Sequence, residues 1–170
     1  YMEFTSQLLK SLKQQDVHTL LETCGYFDLN MFIDMLYPYL DIIYFDIKII
    51  DSIAHKKYCG RPNEKILDNF RWISKKAKKD NKMLLPRLPL IPNITSTETN
   101  VRGIVSFLKS QNITEASLLA YNPLWHEKSD KIGVEDPYKK SKEMTSFEDK
   151  AVLERCKAIL MEGGIKEIIL

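Results

Sequence analysis

The sequence predicts an α/β fold built on a parallel sheet, and three observations lead there. Stretches with apolar residues at helical spacing alternate with short β-prone runs in the order α-β-α-β-α-β-α-β-α-β. A helix between consecutive strands makes each connection a right-handed crossover, which sets neighbouring strands parallel. The clearest strand, Ile42-Ile43-Tyr44-Phe45-Asp46-Ile47, is apolar on both alternating faces, as a central parallel strand covered by helices would be. A length of 170 residues with 44% hydrophobic content suffices for one domain-sized core, so residues 1–170 read as one unit.

Phe4, Leu8, Leu9 and Leu12 share a helical face, which predicts an amphipathic helix over about residues 3–14. Val17-His18-Thr19-Leu20-Leu21 is a short strand that runs out into Glu22-Thr23-Cys24-Gly25. A helix after Asp28 buries Phe32, Ile33 and Leu36 and stops before Pro38. Beyond the central strand, residues 51–60 read as a connector, and Pro62-Asn63-Glu64 opens a long helix with Ile66, Phe70, Ile73 and Ala77 inward. Lys75, Lys76, Lys78 and Lys79 load its C-terminal end, where cations complement the helix dipole. Met83 to Ile91 forms a third strand whose two prolines predict an irregular or edge position. Thr95 to Glu98 has capping-box spacing and starts a helix carrying Val101, Ile104, Val105 and Leu108. Ala116 to Tyr121 is a fourth strand ending at Asn122-Pro123. The polar, lysine-rich residues 125–144 read as a long loop. A second capping box, Thr145 to Glu148, begins a helix that buries Val152, Cys156, Ile159 and Leu160 and is stopped by Gly163-Gly164. Lys166 to Leu170 returns as a final strand.

Composition narrows the function classes. Lys and Arg total 25 against 23 acids, a formal charge of +2, whereas a nucleic-acid binder usually carries a clustered basic excess. No run approaches the ~18 apolar residues of a membrane-spanning helix, so neither nucleic acid nor membrane is an expected partner. No secretory n-region and h-region open the chain. It starts Tyr1-Met2-Glu3 and enters helical sequence at once, which reads as a trimmed start or a piece of something longer. Cys24, Cys59 and Cys156 form neither a disulfide framework nor a CxxC site, and a reducing, cytoplasmic setting is the simplest expectation.

Ligands of parallel α/β folds collect at the carboxyl ends of the strands. Followed to that end, the strands supply Glu22, Thr23 and Cys24, then Asp46 and Lys48 on one alternating face, Arg87, and finally Tyr121 and Asn122. Carboxylates attract an ammonium or a small cation, and Lys48 offers a point charge to a carboxylate, so the set suits a zwitterion. Each member has a structural alternative. Asp46 could pair with Lys48, Arg87 could serve as an ion-pair partner, and Thr23 could cap a turn. His18 starts a strand at the far end, while His55 and His126 stand alone without metal-ligand spacing.

The segments that carry these residues resemble a known family. His18-Thr19-Leu20-Leu21-Glu22-Thr23-Cys24-Gly25 resembles the stretch ending DT(C/N)G in glycyl-radical-enzyme activating enzymes, radical S-adenosylmethionine proteins of the pyruvate formate-lyase activating enzyme family. Asp46-Ile47-Lys48 is similar to their DLK strand, and His55 to Gly60 to the H…G stretch after it. Arg87-Leu88-Pro89-Leu90-Ile91-Pro92 resembles R…(V/I)P, and Leu118 to Asn122 resembles LLPYH. These matches run in chain order over nearly the whole sequence.

The resemblance implies an incomplete (β/α) barrel lacking its N-terminal units. It also implies a chemistry in which S-adenosylmethionine, reduced by a 4Fe–4S cluster, yields a radical that takes hydrogen from a glycine of a partner enzyme. A glycyl-radical enzyme and an electron donor such as flavodoxin or ferredoxin are the implied partners. By the same resemblance Asp46, Lys48, Arg87 and Asn122 hold S-adenosylmethionine, with Asn122 toward the ribose. Glu22, Thr23 and Asp46 surround a monovalent cation. Departures are specific: the CxxxCxxC loop and the GGEP strand do not occur in the 170 residues, Glu22 replaces Asp, and Asn122 replaces His. The expectation is therefore the C-terminal part of an activating enzyme, with no 4Fe–4S ligands, no catalytic residue and no activity of its own. The alternative is a non-catalytic docking module for a large protein, through the segment bearing Trp125 and Tyr138. A phosphate-binding barrel is disfavoured, since no glycine-rich loop follows a strand.

Overall fold

A computed structural model of the chain describes residues 1–135, 138 and 141–169, and its class is α/β, as the sequence predicts. Five strands, β1 (Leu20–Thr23), β2 (Ile42–Asp46), β3 (Met83–Pro89), β4 (Glu115–Leu119) and β5 (Lys166–Glu167), follow one another in the sheet in chain order. Among the described residues that order has two ends, β1 and β5, as an incomplete barrel requires. The helices are α1 (Met2–Lys13), α2 (Leu29–Met35), α3 (Ser52–Cys59), α4 (Glu64–Lys79), α5 (Glu98–Ser110), α6 (Trp125–Ile132) and α7 (Lys150–Glu162). The chain divides into two compact units, Tyr1–Ile47 with Asp51–Arg87, and Lys48–Ile50 with the residues from Leu88 onward.

In the first unit, β1 pairs parallel with β2 from Leu20↔Ile42 to Thr23↔Phe45, and β2 pairs with β3 from Ile42↔Met83 to Asp46↔Arg87. Alternation sends Ile43 and Phe45 to the helix-covered side, where both are fully buried and Phe45 meets Phe70 of α4 edge-on at 5.1 Å. Helix α4 buries Ile66, Phe70, Ile73 and Ala77, the stripe its spacing predicts. The exit turn of β1 lies against the same ring. A Cβ on Gly25 would stand 2.0 Å from Phe45 Cζ, and its φ of +77° is left-handed, so the position needs glycine on both counts. Asn69 of α4 fastens this turn by donating to the carbonyls of Gly25 (2.8 Å) and Phe27 (3.0 Å). At the opposite strand end, Asp41 accepts from the Thr19 amide at 2.8 Å and from Lys13 Nζ of α1 at 2.8 Å.

In the second unit, α5 buries Val101, Ile104, Val105 and Leu108 as predicted, together with Asn100. Asn100 Nδ2 donates to the carbonyls of Lys48 (2.8 Å) and Thr95 (2.9 Å), and its Oδ1 accepts from the Ile50 amide (2.9 Å). Strand β4 pairs parallel with β5, and α7 buries Cys156, Ile159 and Leu160. Glu148, just before α7, has a buried Oε2 without a hydrogen-bond partner among the described residues, and that burial raises its pKa.

Several expectations need correction. The connector at 51–60 is helix α3, capped by Asp51 at the Ala54 amide and ended by Gly60 in the left-handed region. The loop at 125–144 contains α6, which buries no residue and so left no apolar stripe to read, and a 3₁₀ turn at Lys142–Met144. Residues 136, 137, 139 and 140 of that stretch, and residue 170 of the last strand, lie outside the described residues. On α1 only Leu9 is buried, while Phe4 and Leu8 are 66% and 47% exposed, so the helix packs through a narrower strip than its stripe suggests. Strand β1 starts later than expected because Thr19 is held by Asp41 just before it. Strand β3 is third of five, not an edge: each proline costs one donor, and Pro89 is the last residue of the strand. Helix α5 is capped by Thr97, not Thr95, whose hydroxyl accepts from the Ile91 amide and donates to the Pro89 carbonyl instead. Helix α7 is capped by Asp149 rather than by Thr145.

Candidate functional site

The face of the first unit's strands opposite Ile43 and Phe45 carries a charged trio at their carboxyl ends. Glu22 stands on β1, Asp46 at the end of β2 and Arg87 beside it on β3. The guanidinium forms a fork on Glu22, with Nη1 2.9 Å from Oε1 and Nη2 donating to Oε2 at 3.0 Å. Its Nε donates to Asp46 Oδ1 at 2.9 Å, and Nη2 lies 2.9 Å from the same oxygen. Tyr44 lies between Glu22 and Asp46 in the pattern of β2, and the guanidinium carbon sits 5.2 Å from the centre of its ring. That distance is within cation–π range.

Burial grades across the trio. The Arg87 side chain is 9% exposed, Asp46 19% and Glu22 59%. Burial alone would lower the Arg87 pKa, but the hydrogen bonds to Glu22 and then Asp46 outweigh it, and the guanidinium is held charged. One cation against two carboxylates leaves a net charge of −1 on a partly open face. Both carboxylates keep lone pairs beyond those the fork uses, so each can still accept a hydrogen bond from an ammonium group.

The remaining sequence-predicted residues have other settings. Asp46 pairs with Arg87, while Lys48 belongs to the second unit, where its carbonyl accepts from Asn100. Thr23 Oγ1 accepts from the Gly25 amide at 3.0 Å, the turn-capping alternative. Cys24 is exposed, and no disulfide involves any of the three cysteines. Tyr121 is buried and donates to the Met144 carbonyl at 2.8 Å, while Trp125 Nε1 donates to its hydroxyl. Asn122 is exposed, with Oδ1 accepting from the Leu124 amide at 3.0 Å. His55 is buried with Nδ1 2.6 Å from the Arg61 carbonyl, and His126 Nε2 lies 2.5 Å from the Met144 carbonyl. Among the described residues no group of three or more His, Cys, Asp and Glu is placed to hold a metal ion. Tyr44, Asn69 and Asn100 were not singled out from the sequence. Tyr44 could have been found as the residue two before Asp46 on the same face, and the asparagines as amides on buried helical stripes.

No family model matches the chain. It is 30% identical over 164 residues to the 4-hydroxyphenylacetate decarboxylase activating enzyme of Clostridioides difficile, a match covering 96% of this chain and 49% of that protein. It is 32% identical over 133 residues to the trans-4-hydroxy-L-proline dehydratase activating enzyme of the same species, covering 77% of this chain and 42% of that protein. A crystal structure of a domain of pyruvate-formate lyase-activating enzyme from Bacteroides vulgatus ATCC 8482 superposes with a TM-score of 0.74 at 25% identity. That superposition covers 99% of this chain and 91% of the other. The chain spans about half the length of the curated relatives it matches.

Proposed function

This chain is a homologue of the glycyl-radical-enzyme activating enzymes, and on that premise we propose that it forms part of a protein that installs a glycyl radical on a partner enzyme. The observation that carries the reading is the alignment of 96% of the chain with one such activating enzyme. The proposed cofactors are S-adenosylmethionine and a 4Fe–4S cluster, which together supply the radical chemistry. The proposed electron donor is a flavodoxin or ferredoxin, and the proposed setting is the cytoplasm. No helix among the described residues is long and apolar enough to cross a membrane.

The residues present fit the two cofactors differently. Cys24, Cys59 and Cys156 do not have CxxxCxxC spacing, so the cluster is not held by this stretch, and we infer that the stretch is inactive by itself. The trio does fit the positive end of S-adenosylmethionine. Asp46 and Glu22 present carboxylate oxygens on a face of net negative charge, and Arg87 holds both carboxylates in place. Fixed acceptors orient a ligand without spending its binding energy on ordering side chains. From the sequence resemblance alone, Lys48 is proposed for the carboxylate and Asn122 for the ribose, each to be tested by its own variant.

The test is anaerobic. The full-length polypeptide carrying this chain, reconstituted with iron and sulfide and reduced with dithionite, should cleave S-adenosylmethionine to methionine and 5′-deoxyadenosine. With the right glycyl-radical enzyme present it should generate a glycyl radical visible by electron paramagnetic resonance. The 170-residue chain should do neither. A reconstituted full-length protein with an intact cluster that leaves S-adenosylmethionine uncleaved would overturn the proposal.

A further inference from the structure

The family resemblance places a monovalent cation among Glu22, Thr23 and Asp46, and the Arg87 guanidinium already takes the position between the two carboxylates that such an ion would need. Both Glu22 oxygens and Asp46 Oδ1 face the nitrogens of one guanidinium at 2.9–3.0 Å. The Thr23 hydroxyl oxygen accepts from the Gly25 amide. A cation between the two carboxylates would stand against Arg87, whose side chain is 9% exposed and cannot leave without abandoning Tyr44 as well. We propose that Arg87 is the built-in counter-ion of this site: its guanidinium bridges Glu22 and Asp46 in place of a bound monovalent cation, so the protein needs no potassium or sodium there.

The side-chain lengths carry the argument. The register sets Asp46 opposite Arg87 but Glu22 opposite Tyr44, so Arg87 must reach across β2 to touch Glu22. An aspartate at position 22 would be shorter by one methylene, about 1.5 Å, and the fork on Arg87 would open beyond hydrogen-bond length. The glutamate thus closes a contact that the shorter acid leaves open, and the opened space between two carboxylates is where a small cation is useful. Arg87 is here a positioning residue. Its charge and planar fork set the carboxylates that face the ligand, a role a lysine point charge would fill poorly.

The inference takes from the proposed function only the expectation of a cation at these carboxylates, so it is tested on the chain alone, with no nucleoside present. Thallous ion is the probe, followed by ²⁰⁵Tl NMR, together with thermal unfolding in potassium chloride against tetramethylammonium chloride at equal ionic strength. The wild type should show no saturable thallous binding and no difference in Tm between the two salts. Arg87→Met should gain thallous binding that potassium displaces. Its Tm should rise by about 3–5 °C once potassium is roughly tenfold above its dissociation constant. Should Arg87→Met fail to fold, Glu22→Asp serves instead and should gain the same dependence. Thallous binding by the wild type that Asp46→Asn abolishes would overturn the proposal, as would a folded Arg87→Met or Glu22→Asp that gains no cation binding. Neither result would touch the activating-enzyme reading, which stands or falls on cleavage of S-adenosylmethionine.

Discussion

Replacing Asp41 by asparagine should remove a pH-dependent part of the stability of the first unit. Burial alone would raise the Asp41 pKa, but hydrogen bonds from Lys13 and from the amide and hydroxyl of Thr19 overcome it and pull it from 3.8 to about 2. A carboxyl whose pKa is depressed on folding contributes stability above its unfolded pKa and loses it as pH falls through the folded one. The gap between 3.8 and about 2, at about 1.36 kcal/mol per pH unit, corresponds to about 2 kcal/mol. The side chains of Asp41 and Lys13 are 26% and 31% exposed, so solvent screening brings the expected value nearer 1–2 kcal/mol. The amide side chain of the variant could still accept from Thr19 but could not pair with Lys13 as a charge. Urea unfolding of the wild type and Asp41→Asn at a series of pH values is the assay. The difference should be near its full value at pH 7, shrink between about pH 4 and pH 2, and vanish below. A difference that stays constant from neutral pH to pH 2 would refute the assignment of this stability to the ionised carboxylate.

Gly25→Ala should destabilise the chain by about 2–5 kcal/mol in urea unfolding, combining the left-handed backbone cost with a methyl driven into the Phe45 ring. Asn100→Ala should cost about 3 kcal/mol by leaving the Ile50 amide and the Lys48 and Thr95 carbonyls without it, and the Ile50 amide should exchange with deuterium faster. The Cys156 thiol, pushed up to about 11 by burial and then by Glu148, should resist a thiol-disulfide reagent at pH 8 that labels exposed Cys24, as peptide mapping would read. Equal labelling of the two cysteines in the folded chain would contradict its buried setting.

The elements legible in the sequence are those that bury a stripe. Helices α4 and α5 and strand β2 show their apolar residues at the period of their structure, and the structure buries those residues. Helices α3 and α6 lack such a signal. Ile53 of α3 is 83% exposed, and α6 buries nothing, so both are marked only by their termini. Asp51 and Gly60 bracket α3 in the residues a cap and a stop prefer, and Gly133 ends α6 in the left-handed region. Capping boxes locate helix starts to within a few residues and no closer. Where Thr95, Ser96 and Thr97, or Thr145 and Asp149, compete for the same role, the winner is decided by what else each hydroxyl or carboxylate can bond. Thr95 is consumed by the Ile91 and Pro89 backbone, which leaves Thr97 to cap.

The candidate site was legible as a set of residues, because the carboxyl ends of parallel strands are where polar groups escape the core. Its bonds were not, because sequence spacing offers Asp46 a partner two residues away in Lys48, while the bond formed is to Arg87, 41 positions on. The strand β2 ends at Asp46, and Lys48 belongs to the second unit. Register then decides the partner: β2 and β3 set Asp46 directly beside Arg87. The same register explains Tyr44. A guanidinium on β3 that must reach β1 crosses the face of β2, and the residue under that crossing has to be flat and tolerant of positive charge. Tyr44 supplies that platform at 5.2 Å, where an aliphatic residue would leave a desolvated guanidinium with less to offset its burial. The two carboxylates, the arginine and the tyrosine therefore depend on one another's strand positions. A one-residue slip of β2 against β3 would dismantle all four together.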